Sequence, residues 1–206
     1  MIMAKLKFGV IGAAGGQGGG WASKIAGWGK TEVFDLELVA VCDINKIGIE
    51  KKAQELGCAA YTDYEKMYKE AKLDAVVIAT PHFLHAPQAI AAAENDINIL
   101  VEKPMCITLQ QADAMRKAVK MNDVKLAVGF QHRFNPSFLG LKNAIESGDL
   151  GFIYQLNCFF RHWRTDLYYE TSSQVKDPNS GKEHGWRGHW ATEGAGALAK
   201  IGRAHV

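Results

Sequence analysis

Cysteine is scarce in this sequence, and the cysteines that are present lie far apart. The 206 residues include 4 cysteines, Cys42, Cys58, Cys106 and Cys158, with no close pair among them. Metal sites and redox motifs need their ligands or thiols within a few residues of each other. We therefore expect no metal site, and we interpret the cysteines as reduced, buried, small hydrophobic residues.

The sequence also lacks an excess of charge and a long apolar run. Its formal net charge is +2, and acidic and basic residues are interspersed, so no basic stripe is available to bind a nucleic-acid backbone. No apolar stretch approaches the roughly 20 residues that cross a bilayer, and the first residues do not have the pattern of a signal peptide. We expect no nucleic-acid or membrane partner and a cytoplasmic location.

What the sequence does contain is an alternation of short apolar runs and longer amphipathic segments. Continuous apolar runs are typical of parallel strands that are covered on both faces. The predicted strands are Leu6 to Ile11, Leu36 to Cys42, Ala75 to Ala79, Ile97 to Val101 and Lys125 to Gly129. Predicted helices include residues 47–56, which stop at Gly57, and residues 112–121, which follow an N-cap at Thr108. This order predicts an α/β fold, a doubly wound parallel sheet of the Rossmann type.

The pattern changes after Phe130. A predicted helix over about residues 136–147, stopped by Gly148, precedes an aromatic and β-branched segment from Gly151 to Arg161 that predicts a strand. Residues 163–197 are rich in Trp, Tyr, Gly and His and show little periodicity. We predict a dinucleotide-binding domain over residues 1–130 and an incomplete α+β domain over residues 131–200 for substrate binding and oligomerisation.

A glycine-rich turn follows the first predicted strand, and a helix is expected from about Trp21. Glycines in such a turn let backbone N–H groups approach a pyrophosphate, whose charge the helix dipole favours. A strict G-x-G-x-x-G is absent, because counting from the first glycine places Ala14 and Gln17 at the second and third glycine positions. The alternative is a flexible loop. The predicted cofactor contacts are Gly12, Ala14, Gly15, Gln17 and Gly18.

An acidic residue, Asp43, closes the second predicted strand. A carboxylate there can accept hydrogen bonds from both ribose hydroxyls of the adenosine half and would repel a 2′-phosphate, which favours NAD over NADP. Asp43 is farther from the glycines than usual, and we attribute this to an insertion around residues 27–35. Its alternative role is an N-cap for the next helix.

Three later segments carry a more specific pattern. They are Thr80 to His85 (TPHFLH), Glu102 to Pro104 (EKP) and Gly129 to Pro136 (GFQHRFNP). All three follow predicted strands at their carboxyl ends, where open α/β sheets bind ligands. In this order and spacing they resemble the glucose-fructose oxidoreductase and inositol dehydrogenase family (Gfo/Idh/MocA), and the similarity extends from about residue 7 to residue 198.

The resemblance implies an NAD-dependent oxidoreductase that transfers a hydride between nicotinamide and a sugar, cyclitol or related polyol. Lys103, similar to the family's active-site lysine, would be the catalytic residue that binds the reacting hydroxyl and stabilises its developing charge. Glu102 would orient Lys103 or touch the nicotinamide ribose, and Thr80, Pro81 and His85 would line the cofactor. Outside this motif, Lys103 would be interpreted as a solvated surface lysine.

Two segments of the second predicted domain are similar to substrate-binding segments of a sugar-oxidoreductase branch of the family. They contain the predicted substrate contacts Arg164, Tyr168, Trp186 and Arg187. Aromatic faces stack on the C–H surfaces of sugars, and arginine donates to hydroxyls. The alternative is a packed aromatic core with charged rims.

The chain departs from the family pattern near residue 200. Where the resemblance implies an Asp or Asn and then a catalytic His, the sequence has Lys200 and Ala204. The final residues, IGRAHV, back-translate as ATC GGA AGA GCA CAC GTC, the reading of a common short-read sequencing adapter. We expect residues 201–206 to be a non-native tail and the chain to be a truncated, inactive piece of an enzyme whose full-length form associates through its second-domain sheet.

Two other functions stay open at this point. One is a redox-assisted, NAD-dependent glycosidase or lyase of the same family, in which NAD is reduced and reoxidised within one turnover. The other is a non-catalytic sensor that uses the dinucleotide fold only to bind a ligand. The EKP segment over residues 102–104 argues against the sensor.

Overall fold

The computed structural model describes residues 5–31, 33–157, 159, 161, 163, 165, 168, 174–176, 183–187 and 189–194. Its strands are β1 (Leu6–Ile11), β2 (Leu36–Cys42), β3 (Ala59–Tyr61), β4 (Ala75–Ile78), β5 (Asn98–Val101), β6 (Leu126–Val128), β7 (Gln174–Lys176) and β8 (Glu183–Gly185). Its α-helices are α1 (Gly16–Trp28), α2 (Lys46–Leu56), α3 (Tyr64–Glu70), α4 (His82–Ala93), α5 (Leu109–Met121), α6 (Pro136–Glu146) and α7 (Trp190–Glu193). A short 3-10 helix covers Gln131–Phe134.

Strands β1 to β6 form one sheet in the order β3-β2-β1-β4-β5-β6. All neighbouring pairs in it are parallel. The direction in which strands are added reverses between β1 and β4, which is the doubly wound Rossmann topology. The predicted fold class is confirmed, and the predicted strands agree to within one or two residues. Strand β3, with only 3 residues, was not predicted.

Helices cover both faces of this sheet, which explains why its central strands are mostly apolar. On one face, Val41 and Val77 pack under α1 and α2. On the other face, Val76 and Ile78 pack under α3, α4 and α5. Successive side chains of β4 therefore point to opposite faces, and Val76, Val77 and Ile78 are all buried in a core.

Polar side chains cap the beginnings of helices α2 and α5, and a glycine ends α2. Thr108 accepts a hydrogen bond from a backbone N–H in the first turn of α5 at 3.1 Å, which confirms the predicted N-cap. Gly57 ends α2 with a φ of 69°, a conformation that glycine adopts without steric cost. Asn45 caps α2 by accepting the N–H of Gly48 at 3.0 Å. The alternative role of Asp43 as the N-cap is therefore wrong.

The predicted strand from Gly151 to Arg161 is also wrong for the residues that the structure describes. None of residues 151–157, 159 and 161 lies in a strand. The described strands after β6 are β7 and β8, which pair with each other. The segment therefore has no described neighbour that could complete a ladder of backbone hydrogen bonds, and Tyr154 within it is 89% exposed.

Two kinds of feature are absent from the described ranges. None of the helices there has both the length and the apolar composition to cross a membrane. No group of three or more His, Cys, Asp or Glu residues there could hold a metal ion.

Candidate cofactor and active site

A cleft of about 950 Å³ opens at the carboxyl edge of the sheet. Its walls are built by residues that follow β1, β2, β4 and β5, together with residues 168, 186 and 187. It therefore lies at the reversal of strand order, where doubly wound sheets bind their ligands. The predicted site residues that line it are Gly12, Ala14, Gly15, Gln17, Asp43, Thr80, Pro81, His85, Glu102, Lys103, Tyr168, Trp186 and Arg187.

The glycine turn is one residue longer than a G-x-G-x-x-G motif. Gly12 has a φ of 81°, and a Cβ there would lie 2.6 Å from the carbonyl oxygen of Ala79, so a side chain is excluded. A Cβ at Gly18 would overlap the carbonyl oxygen of Gly12. Gly18 therefore allows helix α1 to pack closely on strand β1, which is the role of the third glycine in the G-x-G-x-x-G motif. The strict spacing is absent because the closely packed glycine is Gly18 and not residue 17. Gly18 is buried, and its predicted cofactor contact stays a prediction.

Helix α1 begins at the wall of the cleft. Its N-cap, Gly15, has no side-chain hydrogen bond to the first N–H groups, and a Cβ at Gly15 or Gly16 would meet nothing within 4 Å. The first turn therefore offers unhindered N–H donors and the positive end of the helix dipole. A pyrophosphate requires these features, so the residues present fit a dinucleotide.

Two backbone N–H groups fix the Asp43 carboxylate at the end of β2. Its Oδ2 accepts from Ala14 at 3.0 Å and its Oδ1 accepts from Asn45 at 2.9 Å. A carboxylate has about four acceptor positions, so both oxygens keep lone pairs for ribose hydroxyls. The next residue, Ile44, lines the cleft and is 84% exposed, which places an apolar surface beside the carboxylate.

Glu102 is 6% exposed, and two of the three donors to its carboxylate come from helix α1. Its Oε1 accepts from the Trp21 indole N–H at 2.8 Å and from the Gln17 amide at 3.5 Å. Its Oε2 accepts from the backbone N–H of Lys103 at 3.2 Å. Glu102 therefore connects helix α1 to the loop that carries Lys103.

Lys103 follows β5 and is half-buried in the wall of the cleft. The peptide bond between Lys103 and Pro104 is cis. The cleft brings this lysine together with Asp43 and the glycine turn, which lie far from it in the sequence. This juxtaposition is the one that the EKP segment predicts, and the catalytic role itself stays a prediction.

His85 lies in the wall of the cleft beside Thr80 and Pro81. It is 0% exposed, and its ring nitrogens contact the carbonyl oxygens of Pro104 at 2.8 Å and Thr80 at 2.9 Å. His85 therefore bridges the loops after β4 and β5, and its predicted contact with a cofactor stays a prediction. Burial lowers the pKa of His85 and outweighs the two carbonyl contacts and the Glu102 carboxylate, which raise it.

The thiol that lines the cleft is not poised as a nucleophile. Cys42 ends β2 and lines the cleft. Burial, with added effects of Asp43 and Asp63, raises the pKa of its thiol to about 12. Because the thiolate is the nucleophilic form, Cys42 stays unreactive near neutral pH.

The aromatic side of the cleft combines packing with polar groups. Trp186 is 9% exposed and packs edge-on against His82, with ring centroids 4.5 Å apart. The Arg187 guanidinium lies 4.5 Å from the ring centroid of Tyr168 and 4.7 Å from that of Trp186. Trp186 both packs against His82 and lines the cleft, so its substrate contact stays a prediction beside the packing alternative. Tyr168 and Arg187 are half-buried at the cleft. Arg164 lies outside the described residues.

Some residues that build the site were not predicted. Ile44 could have been found as an exposed apolar residue directly after Asp43. Trp21 could have been found only with the corrected turn, because it follows Gly18 by three residues and so lies one helical turn farther on. Lys200 and Ala204, at the positions where the resemblance implies an Asp or Asn and a catalytic His, lie outside the described residues.

These features define a class: an α/β dinucleotide-binding protein whose cofactor cleft also holds a lysine. The sequence model of the Gfo/Idh/MocA family, an oxidoreductase family with an NAD-binding Rossmann fold, matches residues 6–130. The chain belongs to this family, and the matched residues are its NAD-binding domain.

Several named relatives are inositol dehydrogenases. The chain is 37% identical over 122 residues to the scyllo-inositol 2-dehydrogenase (NAD(+)) of Bacillus subtilis (strain 168), covering 59% of this chain and 36% of that protein. It is 32% identical over 171 residues to the inositol 2-dehydrogenase of Rubrobacter xylanophilus, covering 81% of this chain and 46% of that protein. The chain therefore spans less than half the length of these relatives.

Solved structures are similar over the same part of the chain. The scyllo-inositol dehydrogenase of Lactobacillus casei with bound NAD(H) and scyllo-inositol has a TM-score of 0.64 at 25% identity, covering 71% of this chain and 42% of that one. The WlbA dehydrogenase of Bordetella pertussis in complex with NADH and UDP-GlcNAcA has a TM-score of 0.67 at 33% identity, covering 73% of this chain and 44% of that one.

Proposed function

We propose that this chain is the cofactor-binding half of an NAD-dependent oxidoreductase that transfers a hydride between nicotinamide and a sugar, cyclitol or related polyol. The observation that carries the proposal is a cleft that contains Lys103, Asp43 and the glycine turn. Fold alone does not define an activity. The names of the relatives, inositol 2-dehydrogenases, support the substrate class.

Asp43 provides the proposed discrimination between NAD and NADP. Its carboxylate is fixed by the N–H groups of Ala14 and Asn45, so turning away from a bulky anion would break two hydrogen bonds. Ribose hydroxyls can donate to this carboxylate, whereas a 2′-phosphate would be repelled by it. These contacts favour NAD.

Lys103 is the proposed catalytic residue. Bound NAD supplies the acceptor for the hydride that leaves the substrate carbon. The half-buried ammonium of Lys103 donates a hydrogen bond to the reacting hydroxyl and stabilises the negative charge that develops on its oxygen as the proton leaves. The general base is not assigned to a residue of this chain, since the family's position holds Ala204.

Tyr168 and Arg187 are the proposed substrate contacts. Both line the cleft and are half-buried. The aromatic face of Tyr168 suits the C–H surface of a sugar ring, and the N–H groups of Arg187 suit hydroxyl oxygens. Trp186 supports Arg187 from below its guanidinium plane.

The first test is cofactor binding by the 206-residue chain. Titration with NADH, followed by energy transfer from tryptophan to the bound nicotinamide, is expected to show saturable binding. NADPH is expected to bind about tenfold more weakly or worse, because of the Asp43 carboxylate. A chain that binds neither dinucleotide would contradict the proposed function.

The second test is turnover. We expect the 206-residue chain to bind NADH without oxidising polyols, and the product of the locus resequenced from codon 200 onward to accumulate NADH with scyllo-inositol or myo-inositol. In that product, Lys103→Met is expected to lower kcat about 10²- to 10³-fold. Full activity of Lys103→Met would exclude the catalytic role, and product formation without NADH accumulation would indicate the redox-assisted reaction instead.

A further inference from the structure

A buried carboxylate in the cleft takes its hydrogen bonds from neutral donors. Glu102 is 6% exposed, and the contacts to its oxygens come from the Trp21 indole at 2.8 Å, the Gln17 amide at 3.5 Å and the Lys103 backbone at 3.2 Å. Of these, the indole contact is the shortest. Because a buried carboxylate without donors is costly, Trp21 has a large share in fixing the orientation of Glu102.

Trp21 belongs to the same helix that offers its N-terminus to the pyrophosphate. It lies in α1 directly after the glycine turn, and its ring packs edge-on against Trp28 with centroids 6.5 Å apart. Helix α1 therefore reaches the cleft at two places. Its first turn lines the glycine side, and the Trp21 indole reaches across to the end of β5, where Glu102 begins the EKP segment.

The carboxylate itself has little freedom once these contacts form. Gly129 packs against its other side, since a Cβ at that position would lie 3.4 Å from the Glu102 carboxyl carbon. Glu102 is thus held between α1 and the end of β6, and it lines the cleft beside Lys103. Replacing the indole by a ring without an N–H group would release Oε1 from its nearest donor.

We infer that Trp21 is a positioning residue that holds the Glu102 carboxylate in place for the nicotinamide ribose of NAD. This inference rests on the proposed function, with Asp43 at the adenosine end and Lys103 at the nicotinamide end, and it takes the ribose contact as the role of Glu102. Loss of the indole donor therefore weakens contacts to one half of the cofactor. The adenosine and pyrophosphate contacts, made by Asp43 and the glycine turn, stay intact.

The test compares NADH with ADP, which lacks the nicotinamide ribose. Dissociation constants are measured by calorimetry on the full 206-residue chain. Trp21→Phe keeps an aromatic ring and removes the N–H donor. It is expected to weaken NADH binding about tenfold, the cost of one hydrogen bond to a charged group, and to change ADP binding by less than about twofold. A merely structural role would weaken both ligands equally.

Trp28→Phe is the matched control, because Trp28 lies on the same helix and its indole is not among the donors to Glu102. It is expected to leave the affinities for both ligands unchanged. Glu102→Gln is expected to weaken NADH selectively, as Trp21→Phe does. The double variant Trp21→Phe, Glu102→Gln is expected to lose no more than either single variant, because the two side chains act through one contact.

A spectroscopic measurement covers the case in which Trp21→Phe does not fold. In Glu102→Gln, the indole N–H resonance of Trp21 is expected to move upfield in a ¹H–¹⁵N spectrum, because a charge-assisted hydrogen bond is replaced by a weaker one, while the Trp28 resonance stays in place. An unmoved Trp21 resonance, an unchanged NADH affinity in Trp21→Phe, or equal losses of NADH and ADP would overturn the inference. Absence of NADH binding by the unmodified chain would instead contradict the proposed function.

Discussion

Helices α4 and α6 are both apolar, yet they differ in what their apolar side chains contact. Residues of α4 such as Ala89 and Ala93 are 1% and 0% exposed in the core beneath the sheet. Helix α6 has no buried residue, and its Phe138 and Leu141 are 53% and 46% exposed. An apolar stripe thus favours a helix in both places. It stabilises the fold only where it packs against another element.

The same contrast separates the two halves of the candidate site. The cofactor side is built by residues that directly follow the strands of the parallel sheet. This sheet has a packed hydrophobic core on each face. The substrate side depends on a short segment around Trp186, which contacts His82 of helix α4. We therefore expect cofactor binding to depend on the region before residue 130 and to be insensitive to changes after it.

The largest expected effect is on stability. Met115 of α5 is 0% exposed and Leu141 of α6 is 46% exposed. Met115→Ala is expected to lower the free energy of unfolding by about 2–5 kcal/mol, the cost of a cavity in a packed core. Leu141→Ala is expected to change it by less than about 0.5 kcal/mol. Urea unfolding followed by circular dichroism measures both values. Similar losses in the two variants would show that α6 is packed after all.

The architecture before residue 130 could be predicted because its strands are buried on both faces. Such strands, Val76 to Ile78 for example, are apolar at every position and are visible without knowledge of their partners. Gly151 to Arg161 has the same kind of composition, and its prediction as a strand was wrong. Composition gives a propensity, whereas a strand also needs a neighbour to accept its hydrogen bonds.

The second effect concerns the glycine turn. Gly18→Ala is expected to destabilise the protein by about 1–3 kcal/mol, because its Cβ would overlap the backbone of Gly12, and to weaken NADH binding. Gly20→Ala, on the same helix, meets no atom within 4 Å and is expected to stabilise by up to about 1 kcal/mol. Urea unfolding and NADH titration are the measurements. An equal response of the two variants would contradict the corrected register of the turn.

The candidate site could be predicted where a single charged side chain defines it, and it could not be predicted where backbone geometry defines it. Asp43 was predicted because an acidic residue that closes an apolar strand is conspicuous, and Lys103 was predicted from the resemblance of the EKP segment to the family's motif. The packing role of Gly18 was not predicted. Several glycines are adjacent in this turn, so the sequence alone does not show which of them the backbone geometry places against Gly12. Trp21 was missed for the same reason, since its partner Glu102 is far away in the sequence.

The third effect is on cofactor affinity. Asp43→Asn is expected to weaken NADH binding about tenfold, because ribose hydroxyls lose a charged acceptor, and to narrow the difference between NADH and NADPH. Arg187→Gln, after residue 130, is expected to leave NADH affinity unchanged. Asp63→Asn controls for the loss of charge, since Asp63 caps α3 and Asn caps equally well. A loss of NADH affinity in Arg187→Gln would remove the proposed separation of cofactor and substrate sides.

The smallest expected effect is a pH dependence that distinguishes a buried from an exposed histidine. Burial lowers the pKa of His85, so below its ordinary value of about 6.5 the unfolded chain binds a proton that the folded chain does not. Stability attributable to His85 is therefore complete above that pH and decreases as the pH falls through it, by at most about 1.4 kcal/mol per pH unit. His132 lies after residue 130 and is exposed.

Urea unfolding between about pH 7.5 and pH 5.5, the range in which histidine titrates, measures this dependence. His85→Gln is expected to flatten the decrease in stability towards low pH, and His132→Gln is expected to leave it unchanged. Glu102 and the carbonyl groups of Thr80 and Pro104 favour the protonated ring, whereas burial disfavours it. A decrease that persists unaltered in His85→Gln would mean that these contacts balance the cost of burial, so that folding does not shift the pKa of His85.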